Sequence, residues 1–155
     1  MHHHTMEREA AHEVVQVALW MSLLRACSGA EAFMKKKGRV SAHNMVAFLL
    51  FEPAFPRSLA YCLRSSQGLL ARIWGEPVDG KAPESMLRMN ELVTWLARQS
   101  TTLDLGQMHK LLTHVVDETS AICSHISLEI QGPPRNTTAS FVSGGAVRLD
   151  IHTES

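Results

Sequence analysis

The chain has 155 residues, with 15 basic and 15 acidic side chains and 45% hydrophobic residues. That length sets one domain, long enough to bury about 68–70% of the surface its unfolded chain exposes. The charges balance and no long run of either sign occurs, which excludes the electrostatic footprint of a nucleic-acid or anionic-membrane partner.

The Met-His-His-His start is left out of any metal argument, and residues 1–6 are expected to be disordered or tag-like. Residues 7–37 predict a long first helix, with Glu7, Glu9 and Glu13 early and Lys35, Lys36 and Lys37 late, the charge order that a helix dipole favours. From Val14 to Cys27 nearly every residue is apolar and no wide polar face is left, so this helix is expected to be covered on most sides. The run is interrupted by Gln16 and Ser22 and stopped by Arg25, which makes it too short to span a bilayer. No secretory signal is read there, and the expected location is the cytoplasm.

Gly38 and Arg39 end the first helix, and Ser41 is the predicted N-cap of a short helix through Phe51. Pro53 and Pro56 then force a corner, since each removes a backbone donor and drives the preceding residue towards extended geometry. Pro56 suits the first position of the next helix. That helix is predicted to run to about Trp74 with Leu59, Cys62, Leu63, Leu70 and Ile73 on its core stripe.

Arg57 is out of place in a first helical turn, where a cation opposes the dipole by roughly 0.3–1 kcal/mol. Two readings stand. In one, the guanidinium locks the corner by holding Glu52, Glu31 or loop carbonyls. In the other, Arg57, the Ser58 hydroxyl and the free N–H groups of the helix start form an anion or carboxylate site.

Gly75 to Pro83 is a predicted loop, because Pro77, Gly80 and Pro83 forbid a continuous helix. A helix follows from about Glu84 with Met86, Met89, Val93 and Leu96 at helical spacing, broken at Gln99 to Thr102. Asp104 with Gln107 predicts a variant capping box for the last helix, whose apolar positions are Met108, Leu111, Leu112, Val115, Thr119, Ile122, Cys123, Ile126 and Ile130. The body, residues 7–130, is thus an all-α antiparallel bundle of about five helices. Residues 131–155 form a flexible tail, irregular or folded as a hairpin around Gly144-Gly145.

Chemistry is sparse on this frame. His114, Asp117, Glu118 and His125 lie within about three turns as a candidate metal patch, but HExxH and the paired Glu-x-x-His arrangement are missing, and a solvated polar face is preferred. His12 beside Glu9 and Glu13 is read as surface. Cys27, Cys62 and Cys123 sit among apolar neighbours on separate predicted helices and are read as small core hydrophobes in a reducing compartment. No nucleophile motif, phosphate loop or cofactor signature occurs. The sequon at Asn136 is set aside as irrelevant to a chain of this kind.

The stretch FLLFEPAFPRSLAYCL, residues 48–63, resembles the "PRS" corner of the bacterial alpha-E domain, an all-helical family named for a Glu-Arg motif. WMSLLRACSGAEAF, residues 20–33, resembles the helix that precedes this corner there. The resemblance covers roughly residues 12–130. It implies the C-terminal half of the family domain only, with the defining N-terminal segment absent and Glu7-Arg8 coincidental. It also implies association with ATP-grasp peptide ligases and transglutaminase-like proteins, and no settled catalytic role.

The leading reading is a non-enzymatic helical accessory module. It is expected to self-associate, or to dock a complementary alpha-E half, through Val17, Trp20 and Leu24 of the first helix. The runner-up is an enzyme or ligand-binding domain whose anion site at Pro56-Arg57-Ser58 is completed by a missing half or a partner chain. A truncated product without an independent role is the third.

Overall fold

A computed structural model describes residues 2–36, 38–77 and 79–132 of the chain. Among the described residues there are six α-helices and no strand. They are α1 (His2–Ala26), α2 (Ala30–Lys35), α3 (Ala42–Phe51), α4 (Leu59–Trp74), α5 (Glu84–Gln99) and α6 (Met108–Gln131), with a 3-10 turn over Leu105–Gln107. The all-α bundle expected from the sequence is what the chain adopts. The expected tail hairpin and the sequon lie outside the described residues.

The single helix predicted over 7–37 is two helices, and its first turns begin at His2, within the stretch expected to be disordered. The break follows from a backbone motif that periodicity does not reveal. After Ala26 the Ser28 N–H bonds to Arg25 O at 2.9 Å and the Gly29 N–H to Leu24 O at 2.7 Å, closing α1 with a Schellman pattern. The left-handed position in it is taken by Ser28, at φ 57°, rather than by glycine. Gly29 is needed for a different reason, since a Cβ there would stand 2.8 Å from Phe55 Cζ.

Two apolar clusters share α3 as a common wall. Leu24, Phe33, Met45, Phe48 and Phe55 form the first, with Val17, Trp20 and Met21 packed against it. Val46, Leu50, Leu63, Leu70, Met89, Leu92, Leu96, Leu111, Val115 and Ile122 form the second. Burial of each such side chain contributes roughly 1.5–3 kcal/mol before entropy is counted, so these clusters hold the helices together. Trp20 reaches both and so joins α1 to the rest.

The helix α5 runs antiparallel to α6. Ser85 meets Glu129, Arg88 meets Glu118 and Trp95 meets His114, so partners recede along α6 as α5 advances. The Pro83 N-cap of α5 has no side-chain oxygen to offer, and Glu129 takes over that task. Its carboxylate accepts the Ser85 N–H at 3.0 Å and the fully buried Ser85 hydroxyl at 2.5 Å. An anion at a helix N-terminus is favoured by free donors and dipole together.

Several sequence expectations change at this level. α4 starts at Leu59 rather than Pro56, because Ser58 is its N-cap. Of its predicted core stripe Leu63 and Leu70 are buried, whereas Cys62 and Ile73 are exposed. On α6 the buried residues are Leu111, Val115 and Ile122, leaving Leu112, Cys123 and Ile130 exposed. Cys27 is half-buried, and all three thiols are free, so the reading of Cys62 and Cys123 as core residues is corrected. Those helices pack on neighbours over a narrower arc than their apolar residues cover. At α6 the predicted capping box is replaced by an Asp104 carboxylate that accepts the Gly106 N–H at 2.9 Å and starts the 3-10 turn.

Candidate functional site

The corner between α3 and α4 is built on Glu52, which is buried and ends α3. Its carboxylate accepts the Ala54 N–H at 3.3 Å and pairs with Lys36 from the end of α2. Its carbonyl accepts the Ser58 hydroxyl at 2.6 Å. The same Ser58 oxygen accepts the Tyr61 N–H at 3.1 Å and so caps α4. Ser58 is wholly buried, and its hydroxyl donates and accepts within the corner.

Below this, Phe55 stacks on Phe48 at 5.0 Å, and Phe48 meets Phe33 edge-on at 5.5 Å. Such pairs add about 0.5–1.5 kcal/mol to area burial. The prolines turn the chain, and the ring of Phe55 fixes the turn against α1 and α2 through the gap that Gly29 leaves open.

Arg57 precedes the α4 N-cap and therefore stands outside the helix rather than in its first turn. Its Nη1 donates to Cys27 O at 2.9 Å, one of the carbonyls left over at the C-terminal end of α1. A cation is favourable at that end of a dipole, which balances its unfavourable position ahead of α4. Of the two readings of Arg57, this geometry is the loop-carbonyl lock. The corner ties α1, α2, α3 and α4 together through Arg57, Lys36, Glu52 and Ser58.

The residues expected to form an interface divide. Leu24 is fully buried, and Val17 and Trp20 are half-buried against the first cluster, so the three point inward on α3. The large apolar side chains of α1 that face solvent are Met6, Val14, Val15, Leu19 and Leu23, with Val15 at 55% and Leu19 at 61% exposure. The three residues expected at an interface thus lie on the packed side of α1. Apolar residues nearly all round gave no periodicity from which to tell the packed side from the free one.

The first half of α1 is exposed throughout and overhangs a groove of about 730 Å³, bounded by Trp20, His43 and Met108, with Arg8, His12 and Glu13 along its rim. His12 is thus a rim residue.

The polar residues of α6 are separated in role. His114 packs on the Trp95 ring at 4.3 Å between centroids, and Glu118 faces Arg88 at 3.6 Å. No group of three or more His, Cys, Asp or Glu suited to a metal ion occurs among the described residues. These side chains line a polar cleft of about 650 Å³ between α5 and α6.

No helix among the described residues is long and apolar enough to cross a membrane. Fold and corner together define an all-helical domain of one architecture. A family model, described as "a predicted alpha-helical domain with a conserved ER motif", matches residues 1–129, and the chain belongs to this Alpha-E family. The match begins at residue 1, so the expectation of a C-terminal half only is not borne out. No curated protein and no solved structure matches the chain. Glu7 and Arg8, the Glu-Arg pair of this chain, are both exposed on α1.

Proposed function

We propose that this chain is a non-enzymatic helical interaction module that docks a partner on the outward face of α1. The observation that carries this is the character of that face: from Ala11 to Ala26 it is exposed and apolar but for Ser22, with Arg25 only at its edge. A helix face turned to water is ordinarily charged, and a contiguous apolar patch beyond a few hundred Å² marks an interaction surface. The candidate occupants are a second copy or helices of a complementary Alpha-E chain. The setting that the family resemblance suggests is an accessory role beside an ATP-grasp ligase or a transglutaminase-like protein, in the cytoplasm.

A second reading keeps an anion or carboxylate site at the corner. It draws support from Arg57, which is exposed and, among the described residues, uses Nη1 alone of its donor nitrogens, on the Cys27 carbonyl. It is weakened by Ser58, whose hydroxyl is buried and engaged. Photo-crosslinking tests the leading reading: a photoreactive residue in place of Leu19 forms a discrete protein adduct in cells, whereas one at exposed Asn90 on α5 does not. Absence of any adduct from position 19 would overturn the leading reading.

A further inference from the structure

The uncovered face of α1 lies opposite the one that packs on α3. Gln16, Val17, Trp20, Met21 and Leu24 are at least half-buried, and the turn of the helix places Ala11, Val15, Ala18, Leu19, Ser22 and Ala26 on the other side, all exposed. The Ser22 hydroxyl donates to Ala18 O at 2.9 Å within the helix, so it needs no partner from outside. Small residues on most of these positions let another helix axis approach closely, with Val15 and Leu19 as the bulky contacts.

Charge decides what kind of helix fits. Glu7 and Arg25 are eighteen residues apart, five full turns, so both stand on the same flank of this face, about 27 Å apart along the axis. Arg25 has no ion-pair partner among the described residues, and Glu7 has only a 3.8 Å approach to His4, both groups being largely exposed. When two helices pair antiparallel, like flanks meet. A second α1 laid antiparallel with its two-fold axis near Gln16 sets Glu7 of each copy against Arg25 of the other. A parallel pairing in register turns this flank of each copy towards the opposite flank of the other, so neither Glu7 nor Arg25 meets its counter-charge.

Resting on the reading of α1 as a docking surface, we infer that its occupant is a second copy of this chain, paired antiparallel and isologously through α1 with reciprocal Glu7 to Arg25 ion pairs. An isologous contact of this kind closes on itself and stops at the dimer.

Sedimentation velocity of the full chain at low salt, across a concentration series into the high micromolar range, tests this. The unmodified chain is expected to dimerise. Glu7→Arg and Arg25→Glu each turn two attractive pairs into two repulsive ones and are expected to weaken the dimer roughly tenfold or more. The double variant Glu7→Arg with Arg25→Glu restores complementarity, and its dissociation constant is expected to return to within about threefold of the unmodified value. Both substitutions are at exposed positions, and unchanged circular dichroism of the three variants confirms folding. If the single reversals leave dimerisation unchanged, the antiparallel register is overturned. A chain that stays monomeric throughout overturns the second copy as occupant, while a Leu19 crosslink to another protein would leave the docking surface itself standing.

Discussion

Replacing Ser58 with alanine tests whether the corner is a structural knot or a site. The hydroxyl is wholly buried, gives its proton to Glu52 O at 2.6 Å and takes the Tyr61 N–H at 3.1 Å. Loss of the cap alone costs about 0.5–2 kcal/mol. The Glu52 carbonyl then keeps only the Phe55 N–H at 3.4 Å, and loss of one such hydrogen bond costs about 0.5–1.5 kcal/mol. The sum is about 1–3.5 kcal/mol, which for a chain of this length lowers the melting temperature by roughly 2–14 °C. Thermal melts followed by circular dichroism, checked by urea denaturation, measure it. A variant that melts within about 1 °C of the unmodified chain would refute the reasoning, because a hydroxyl so placed cannot then be holding the corner.

Two further substitutions probe the frame. Glu129→Ala leaves the buried Ser85 hydroxyl and the α5 start without their acceptor, and a stability loss of about 1.5–3 kcal/mol by urea denaturation is expected; a loss below about 0.5 kcal/mol would show that α5 does not depend on this cap. Gly29→Ala places a Cβ 2.8 Å from Phe55 Cζ in a packed cluster, and overpacking of this kind costs about 1–3 kcal/mol. If Gly29→Ala proved neutral, the aromatic ladder under the corner would have to be looser than it stands here.

The helices from α3 onward were legible because their local chemistry and their packing agree. Ser41 caps α3 by accepting the Asn44 N–H, as the Ser before an apolar run implies, and the prolines and glycines around 75–83 end α4 and precede α5. The break after Ala26 was not legible, because Ser28 occupies a left-handed position that glycine would ordinarily advertise, and the neighbouring glycine serves Phe55. The compensation for Arg57 was foreseeable as a need but not as a partner, since Cys27 lies 30 residues away in sequence. Glu129 as the cap of α5 depends on the antiparallel register of α6, which no local pattern contains. The free side of α1 was hidden by its own composition.

The central claim is that α1 has a packed side and a docking side, and paired substitutions on the two sides test it most directly. Leu24→Glu puts a charge into the first cluster, where the native side chain is fully buried, while Leu19→Glu puts one on the outward face, where it is 61% exposed. Sedimentation velocity combined with thermal melts is expected to show Leu19→Glu as a folded monomer beside an associating unmodified chain, and Leu24→Glu as unfolded or strongly destabilised. Leu19→Glu that associates as the unmodified chain does would contradict the account.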